Sequence, residues 1–199
     1  TNNPVAAQEA LNNTVSALRQ LNDSTQLAPA YQDLAASYIK TKEFSTAFEY
    51  YNKAIGLLKA SKDTVNWALA IANLASGYQS KTDYKEAERL YLETLTLQRK
   101  INDKPNLIYT VANLGTLEQT ANSNYKKAGA YFDEAVKLSI QIKDDNILAF
   151  CYLRLKGLNR SQGKFAEAED YIRKALDIYK KTNRSKEAAY ALVEMGNDA

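Results

Sequence analysis

The sequence repeats itself every 40 or 41 residues, and this period restricts the possible folds more than any other feature of the chain. In four successive segments an alanine is followed, four residues later, by a bulky side chain. These pairs are Ala47 and Tyr51, Ala87 and Tyr91, Ala128 and Phe132, and Ala168 and Ile172. An aromatic residue also stands three positions before each alanine: Phe44, Tyr84, Tyr125 and Phe165. A period of this size is typical of proteins that stack several copies of one small structural unit.

Within each unit the apolar residues are spaced as they are on one face of an α-helix. The second unit contains such a series at Trp67, Ala70, Ile71, Leu74, Ala75 and Tyr78. After a polar break at residues 81–83, a second helical series begins at Tyr84. Each unit is therefore predicted to be a hairpin of a first and a second helix, each about 16 to 18 residues long. Because a single hairpin cannot bury its apolar stripe, the units are expected to stack side by side.

The register predicts one array over residues 1–199. Its parts are a half unit at 4–21, full units at 24–60, 64–101, 104–142 and 145–181, and a half unit at 185–199. Asp63, Asp103 and Asp144 stand before first helices, and Asp23 continues the same spacing. We interpret the first three as helix N-caps rather than catalytic acids, since a short carboxylate accepts hydrogen bonds from first-turn amides. The chain begins and ends in mid-unit without a polar cap, so we expect it to be part of a longer protein or to pack its ends on another surface.

The amino-acid composition excludes most kinds of catalytic and metal-binding site. The chain contains no histidine and a single cysteine, Cys151, which lies in an apolar helical stretch and is interpreted as a buried hydrophobic residue. Histidine-based catalysis, histidine-ligated metals and thiolate clusters are thereby excluded. Acidic and basic residues of the second helices alternate as solvated ion pairs do, and no glycine-rich phosphate loop is present. We therefore predict that the protein is not an enzyme and needs no cofactor or metal.

The charge and hydropathy patterns limit the partners. A net charge of +3 is too small to indicate nucleic-acid binding, and no apolar stretch is long enough to insert into a membrane. A small basic patch at Lys180, Lys181, Arg184 and Lys186 either touches an anionic partner or is a solvated turn. One cysteine permits no internal disulfide, which leaves both the cytoplasm and the periplasm open as compartments.

The repeated unit resembles the tetratricopeptide repeat over essentially the whole chain. In both, a leucine followed by a small residue precedes an aromatic residue, and an alanine, an aromatic residue and another small residue come next. Matching residues are Leu74, Ala75, Tyr78, Ala87, Tyr91 and Thr94 in the second unit and Leu114, Gly115, Ala128, Phe132 and Ala135 in the third. The period of 40 exceeds the usual 34 of the family, and its late proline is missing. In its longer period the chain is similar to the long repeats of kinesin light chains and of bacterial peptide-sensing regulators and sensor kinases. The fourth unit departs from the pattern at Lys156 and Asn159.

The resemblance implies an all-α fold, a right-handed superhelical solenoid of antiparallel helix pairs, whose first helices line a concave groove. The candidate partner-binding residues are Asn73, Asn113, Ser76, Thr116, Gln79, Gln119, Tyr109, Arg154 and Arg160. Asparagine offers a donor and an acceptor together, so Asn73 and Asn113 can bind the backbone of an extended peptide whatever its sequence. Alternatively, both asparagines satisfy neighbouring helix carbonyls or waters. Arg154 and Arg160 either contact an acidic ligand or remain solvated.

The predicted function is a non-enzymatic interaction module that binds a peptide or protein segment in this groove. The carboxylate clamp known in the family is absent, because its positions hold Gln32, Ala72, Ala112 and Leu153, then Ala36, Ser76, Thr116 and Gly157. The alternative is a sensory or dimerising region of a larger bacterial signalling protein, a sensor kinase or a transcription regulator, which would self-associate through its exposed repeat ends.

Overall fold

The computed structural model describes residues 4–21 and 24–196, and its regular structure there is entirely α-helical. The ten helices described are α1 (Pro4–Gln20), α2 (Ser24–Lys40), α3 (Phe44–Ala60), α4 (Thr64–Ser80), α5 (Tyr84–Lys100), α6 (Lys104–Thr120), α7 (Tyr125–Ile142), α8 (Asp145–Ser161), α9 (Phe165–Lys181) and α10 (Ser185–Gly196). Even-numbered helices are the predicted first helices and odd-numbered helices the second ones. The helix bounds lie within one residue of the ends of the predicted half and full units, residues 197–199 being outside the described part; the assignment of all units to one array stays a prediction. The all-α class with antiparallel helix pairs is confirmed.

The chain divides into two compact units, residues 1–103 and 104–199. Unit 1 contains α1 to α5, and unit 2 contains α6 to α10. In each unit every helix packs against its neighbours in sequence, and the first helices also contact one another, α2 with α4 and α6 with α8. The division falls where the sequence predicts the start of a repeat. Each unit thus contains a face on which two first helices lie side by side.

The recurring alanines and bulky residues form the cores of the hairpins. Each of the four alanines is at most 3% exposed and each of the four bulky residues at most 4% exposed. An alanine at a helix crossing lets two backbones approach, and the bulky residue one turn later fills the space between neighbouring helices. The periodic pattern therefore predicts the core correctly.

Each interhelical turn in the described part contains one residue with a left-handed backbone. These residues are Lys42, Lys62, Thr82, Asn102, Ser123, Lys143, Gly163 and Asn183, with φ between 50° and 71°. In the turn after α4, the Thr82 N–H donates to the Gln79 carbonyl at 2.9 Å and the Asp83 N–H donates to the Tyr78 carbonyl at 2.9 Å. This pair of bonds closes the helix and reverses the chain within three residues. The turn at residues 121–124 is one residue longer, which accounts for the single spacing of 41.

Short polar side chains begin several helices. Asp63 accepts a hydrogen bond from the Asn66 backbone N–H at 3.1 Å, and Asp144 accepts one from the Ile147 N–H at 2.9 Å. Both predicted caps are confirmed, Asp103 stays a prediction, and Asp23 lies outside the described residues.

Two further caps begin second helices and were missed from the sequence. Asp83 accepts a hydrogen bond from the Glu86 N–H at 3.4 Å, and Asn124 accepts one from the Lys127 N–H at 3.1 Å. Their signal is an Asp or Asn directly before the aromatic residue that opens the second helix.

Candidate functional site

In unit 1 the first helices α2 and α4 border a cleft of about 410 Å³, here called the α2–α4 cleft. Its base is formed by α3, the second helix that joins them. The lining residues are Pro29, Gln32, Asp33 and Ala36 from α2, Tyr51 and Leu58 from α3, and Asp63, Asn66, Leu69 and Asn73 at and along α4. The cleft therefore combines polar side chains of two first helices with apolar walls.

Asn73 lies in this cleft and connects its two sides. The half-buried Asn73 side chain donates from Nδ2 to Oε1 of Gln32 on α2 at 3.2 Å. Its carbonyl oxygen makes no hydrogen bond to any residue that the structure describes. One amide hydrogen is thus engaged by a neighbouring helix, while the carbonyl oxygen remains available as an acceptor.

The other two candidates on α4 have different surroundings. Ser76 is exposed one turn beyond Asn73. The Gln79 side chain accepts a hydrogen bond from the Tyr91 hydroxyl on α5 at 3.1 Å, so its carbonyl oxygen serves the packing of the α4–α5 hairpin. Of the three candidates in unit 1, Asn73 alone lines the α2–α4 cleft.

Tyr51 and Asp33 also line the cleft, although neither was named as a binding residue from the sequence. Tyr51, interpreted only as a core residue, lines the cleft and is 4% exposed. Burial, together with the charge of Asp33, raises the pKa of Tyr51 to about 12, so the hydroxyl stays protonated at any physiological pH. Asp33 is exposed at the mouth of the cleft. Asp33 thus makes the cleft acidic, and Tyr51 places a hydroxyl group in its lining.

In unit 2 the polar candidates lie on α6. Asn113 is half-buried, and its side chain makes no hydrogen bond within the described ranges. Thr116 is also half-buried and donates to the Ala112 carbonyl of its own helix at 3.1 Å. Gln119 donates from Nε2 to the Ser161 hydroxyl on α8 at 2.8 Å, and so connects two first helices as Asn73 does in unit 1.

An aromatic and cationic cluster forms at another edge of the same helices. The ring centroids of Tyr109 on α6 and Phe150 on α8 are 5.0 Å apart, and the Arg154 guanidinium lies 4.7 Å from the Phe150 centroid. Burial raises the pKa of Tyr109, although 41% of its surface is exposed. Arg160 is exposed one and a half turns further along α8. The structure therefore brings Tyr109 and Arg154 to one place around Phe150.

Two of the four residues of the predicted basic patch are paired within unit 2. Lys181 contacts Asp145 at 3.1 Å, and Arg184 pairs with Glu187 and donates to the Asn146 carbonyl oxygen at 3.1 Å. These contacts favour its interpretation as a solvated turn. No group of three or more Cys, Asp and Glu side chains in the described part is arranged to hold a metal ion. None of the described helices is both long and apolar enough to cross a membrane.

Family models agree with this repeat geometry. Models described as tetratricopeptide repeat match residues 28–57, 70–105 and 107–181. The chain belongs to the tetratricopeptide-repeat family. A model described as anaphase-promoting complex subunit 5 also matches residues 2–36, and no curated protein sequence matches the chain significantly. The resemblance drawn from the recurring leucine, alanine and aromatic residues is confirmed.

Solved structures of tetratricopeptide-repeat type and related proteins share this fold. BtubC from P. vanneervenii superimposes with a TM-score of 0.77 at 15% identity, covering 100% of this chain and 91% of that one. A signal transduction ATPase from Pyrococcus horikoshii with a tetratricopeptide repeat sensor gives 0.72 at 20%, covering 99% and 32%. A Rap protein complexed with competence and sporulation factor gives 0.69 at 16%, covering 98% and 59%. At these identities the likeness is one of fold alone.

Proposed function

We propose that this tetratricopeptide-repeat protein is a non-enzymatic interaction module that binds an extended peptide or protein segment on the faces of its first helices. The observation that carries the proposal is the position of Asn73 in the α2–α4 cleft, with its carbonyl oxygen unengaged. Asn113 occupies the equivalent position of the next repeat in unit 2. Each amide offers an acceptor and at least one donor to the backbone of an extended chain.

The mechanism is recognition by a rigid surface. Hydrogen bonds from Asn73 to Gln32 and from Gln119 to Ser161 connect adjacent first helices and fix the polar side chains before a ligand arrives. Preorganisation of this kind reduces the conformational entropy that binding costs. The small side chains of Ser76 and Thr116 leave room beside the asparagines for a ligand backbone.

In unit 2, the cluster of Tyr109, Phe150 and Arg154 adds an apolar and cationic contact for ligand side chains. Exposed Arg160 extends this cationic edge. Aromatic and arginine side chains contribute more to interface affinity than other residue types. The asparagines would then bind the peptide backbone and provide affinity for any sequence. The cluster would bind peptide side chains and provide a preference among sequences.

A second candidate is a sensory region of a larger signalling protein that associates with another surface. Exposed apolar residues on α10 favour it, since Tyr190, Leu192 and Val193 are 62%, 52% and 61% exposed. One of the structural neighbours carries a tetratricopeptide repeat sensor, and another is a Rap protein complexed with a factor. A ligand-free module that contacts its partner through α10 would not depend on Asn73 or Asn113.

The proposed function is tested by selecting displayed random peptides against the intact chain and measuring their Kd by fluorescence anisotropy. Replacement of Asn73 or Asn113 by alanine is expected to lower the affinity for peptides of unrelated sequence by about three- to tenfold. This loss corresponds to one hydrogen bond to the ligand backbone. Asn52→Ala, which removes an exposed asparagine from the second helix α3, is the matched control and should change nothing. Unchanged affinity in Asn73→Ala, Asn113→Ala and the double variant would exclude the proposal and favour association through α10.

A further inference from the structure

The α2–α4 cleft of unit 1 is rich in hydrogen-bond acceptors. Asp33 and Asp63 contribute carboxylates, and Asn66 and Asn73 contribute amide oxygens. Asp63 is partly engaged, because it accepts from the backbone N–H of Asn66 at 3.1 Å and from the Asn66 Nδ2 at 2.7 Å. Asp33 makes neither a salt bridge nor a hydrogen bond to any residue in the described ranges. No lysine or arginine is among the described residues that line the cleft, so its negative charge is not neutralised locally.

The Tyr51 hydroxyl is a second, independent indication of a ligand. Tyr51 is 4% exposed, lines the cleft and has no hydrogen-bond partner among the residues that the structure describes. In the next repeat, Tyr91 occupies the equivalent position and donates to Gln79 at 3.1 Å. The residue equivalent to Gln79 is Ile39, whose side chain has no acceptor. Because Tyr51 lines the cleft and its oxygen is not sealed from solvent, the hydroxyl can form a hydrogen bond with a polar group that enters.

The remaining walls are apolar and fit the stem of a long side chain. Pro29, Ala36, Leu58 and Leu69 line the cleft between the polar groups. A volume of about 410 Å³ accommodates a single extended side chain together with water. Arginine and lysine place an apolar stem behind a cationic head, which matches this arrangement of apolar walls and acidic acceptors. Arginine presents five donors in a planar fork, whereas lysine presents three at one point.

We propose that the α2–α4 cleft is a specificity pocket for a basic side chain, arginine in preference to lysine, of the segment that this protein binds. The proposal rests on the proposed function, and it adds the chemical identity of one ligand residue. In this arrangement the guanidinium donates to the Asp33 carboxylate, the Tyr51 oxygen and the Asn73 carbonyl. Its methylene groups lie against Leu69, which is 36% exposed at the rim.

The direct test uses Nα-acetyl-arginine methylamide and its citrulline counterpart, which has the same shape without the charge. Each probe is titrated into the intact chain, and binding is followed by NMR through the side-chain amide signals of Asn66 and Asn73. The arginine probe is expected to bind about fivefold more tightly than the citrulline probe, and Asp33→Asn should remove about three- to fivefold of that affinity. Tyr51→Phe should weaken the arginine probe about twofold or more.

Glu93→Gln is the matched control, because it removes one exposed negative charge from α5, where Glu93 pairs with Arg89 outside the cleft. It should leave the affinity of both probes unchanged. Equal affinity for arginine and citrulline probes, or equal losses in Asp33→Asn and Glu93→Gln, would overturn the proposal. Agmatine, a free amine with the same guanidinium, distinguishes the source of the ligand. Markedly tighter binding of agmatine than of the arginine probe would overturn the assignment to a side chain within a chain.

Peptides selected for the proposed function separate the two conclusions. If the selected peptides share an arginine and Asp33→Asn weakens them selectively, the pocket is supported. If they respond to Asn73→Ala but carry no basic residue and ignore Asp33→Asn, the pocket is refuted while the interaction module stands. If no peptide is selected although the arginine probe binds in an Asp33-dependent way, the cleft binds a cation but the proposed segment binding fails.

Discussion

At the scale of single residues, Tyr51 and Tyr91 occupy equivalent positions in successive repeats but differ in hydrogen bonding. Both rings are at most 4% exposed and both fill the space beside a recurring alanine. The Tyr91 hydroxyl donates to Gln79, whereas Ile39 leaves the Tyr51 hydroxyl without a partner among the described residues. The two rings therefore contribute similar packing, and their hydroxyl groups contribute differently to stability.

Replacement of each tyrosine by phenylalanine measures this difference. Tyr91→Phe is expected to lower the free energy of unfolding by about 0.5–1.5 kcal/mol, because it removes a hydrogen bond and leaves Gln79 unsatisfied. Tyr51→Phe should leave that free energy within about 0.5 kcal/mol of the wild type, or raise it slightly, since it removes an unpaired hydroxyl. Urea unfolding followed by circular dichroism compares the variants. A loss in Tyr51→Phe as large as that in Tyr91→Phe would mean that the Tyr51 hydroxyl is already paired in the ligand-free protein.

At the scale of helices, glycine allows the closest approach between α6 and α7. A Cβ atom added at Gly115 on α6 would lie 2.7 Å from Cε1 of Phe132 on α7. Phe132 is 1% exposed, so its ring is enclosed by neighbouring residues. At Gly157 on α8, by contrast, no atom lies within 4 Å of an added Cβ. These two glycines share a helical setting and differ in the space around them.

Alanine substitutions at the two glycines should therefore have opposite effects. Gly115→Ala is expected to lower the free energy of unfolding by about 1–3 kcal/mol, because the steric cost exceeds the gain in helix propensity of about 1 kcal/mol. Gly157→Ala should raise it by about 0.5–1 kcal/mol, since the propensity gain meets no clash. Urea unfolding of both variants in parallel provides the comparison. Stabilisation by Gly115→Ala would show that α6 and α7 separate more easily than this packing indicates.

The helices and the caps at Asp63 and Asp144 were predictable because they depend on residues close together in the sequence. The spacing of Ala87 and Tyr91 defines a buried face, and Asp63 stands directly before the helix that it caps. Contacts between helices were less accessible. The hydrogen bond between Asn73 and Gln32 joins residues 41 positions apart. The repeat pattern places such residues on neighbouring first helices, but it does not predict which of their side-chain atoms form hydrogen bonds.

The character of the α2–α4 cleft was missed for the same reason. Tyr51 fits the core pattern, and its unpaired hydroxyl becomes visible only when the repeats are aligned and Ile39 is compared with Gln79. Gln79 was named as a candidate for ligand contact, but its hydrogen bond with Tyr91 lies inside a hairpin. A row of polar residues on first helices therefore predicts a surface more reliably than it predicts the role of each residue.

At the scale of the whole molecule, the buried charges are concentrated in unit 2. Glu118 on α6 is 2% exposed, and it is the one carboxylate among the described residues that is buried. It forms an ion pair with Lys127 and accepts a hydrogen bond from the Asn122 amide at 3.0 Å. Burial by itself would raise the pKa of Glu118, but these two partners outweigh it and leave the pKa below its ordinary value.

Protonation of Glu118 at acid pH should therefore lower the free energy of unfolding. Since its folded pKa is below the unfolded value of about 4.3, its contribution is fully present above that value and is lost as the pH falls through the folded pKa. Urea unfolding of the wild type and Glu118→Gln should give a clear difference in unfolding free energy at neutral pH that shrinks below about pH 4. Glu93→Gln, at an exposed pair, should differ little from the wild type at either pH. A difference between the wild type and Glu118→Gln that is independent of pH would refute this role.

The turn at residues 121–124 carries both the additional residue of the array and the partner of Glu118, Asn122. Within a helix, one inserted residue would rotate all later side chains by about 100° and bring the apolar face of that helix to the surface. At this corner the extra residue is taken up as a wider bend, so that α7 keeps its orientation toward α6. An inserted residue is thus compatible with the repeat only in a turn between helices. Here the ion pair between Glu118 and Lys127 also connects the two helices that the longer turn joins.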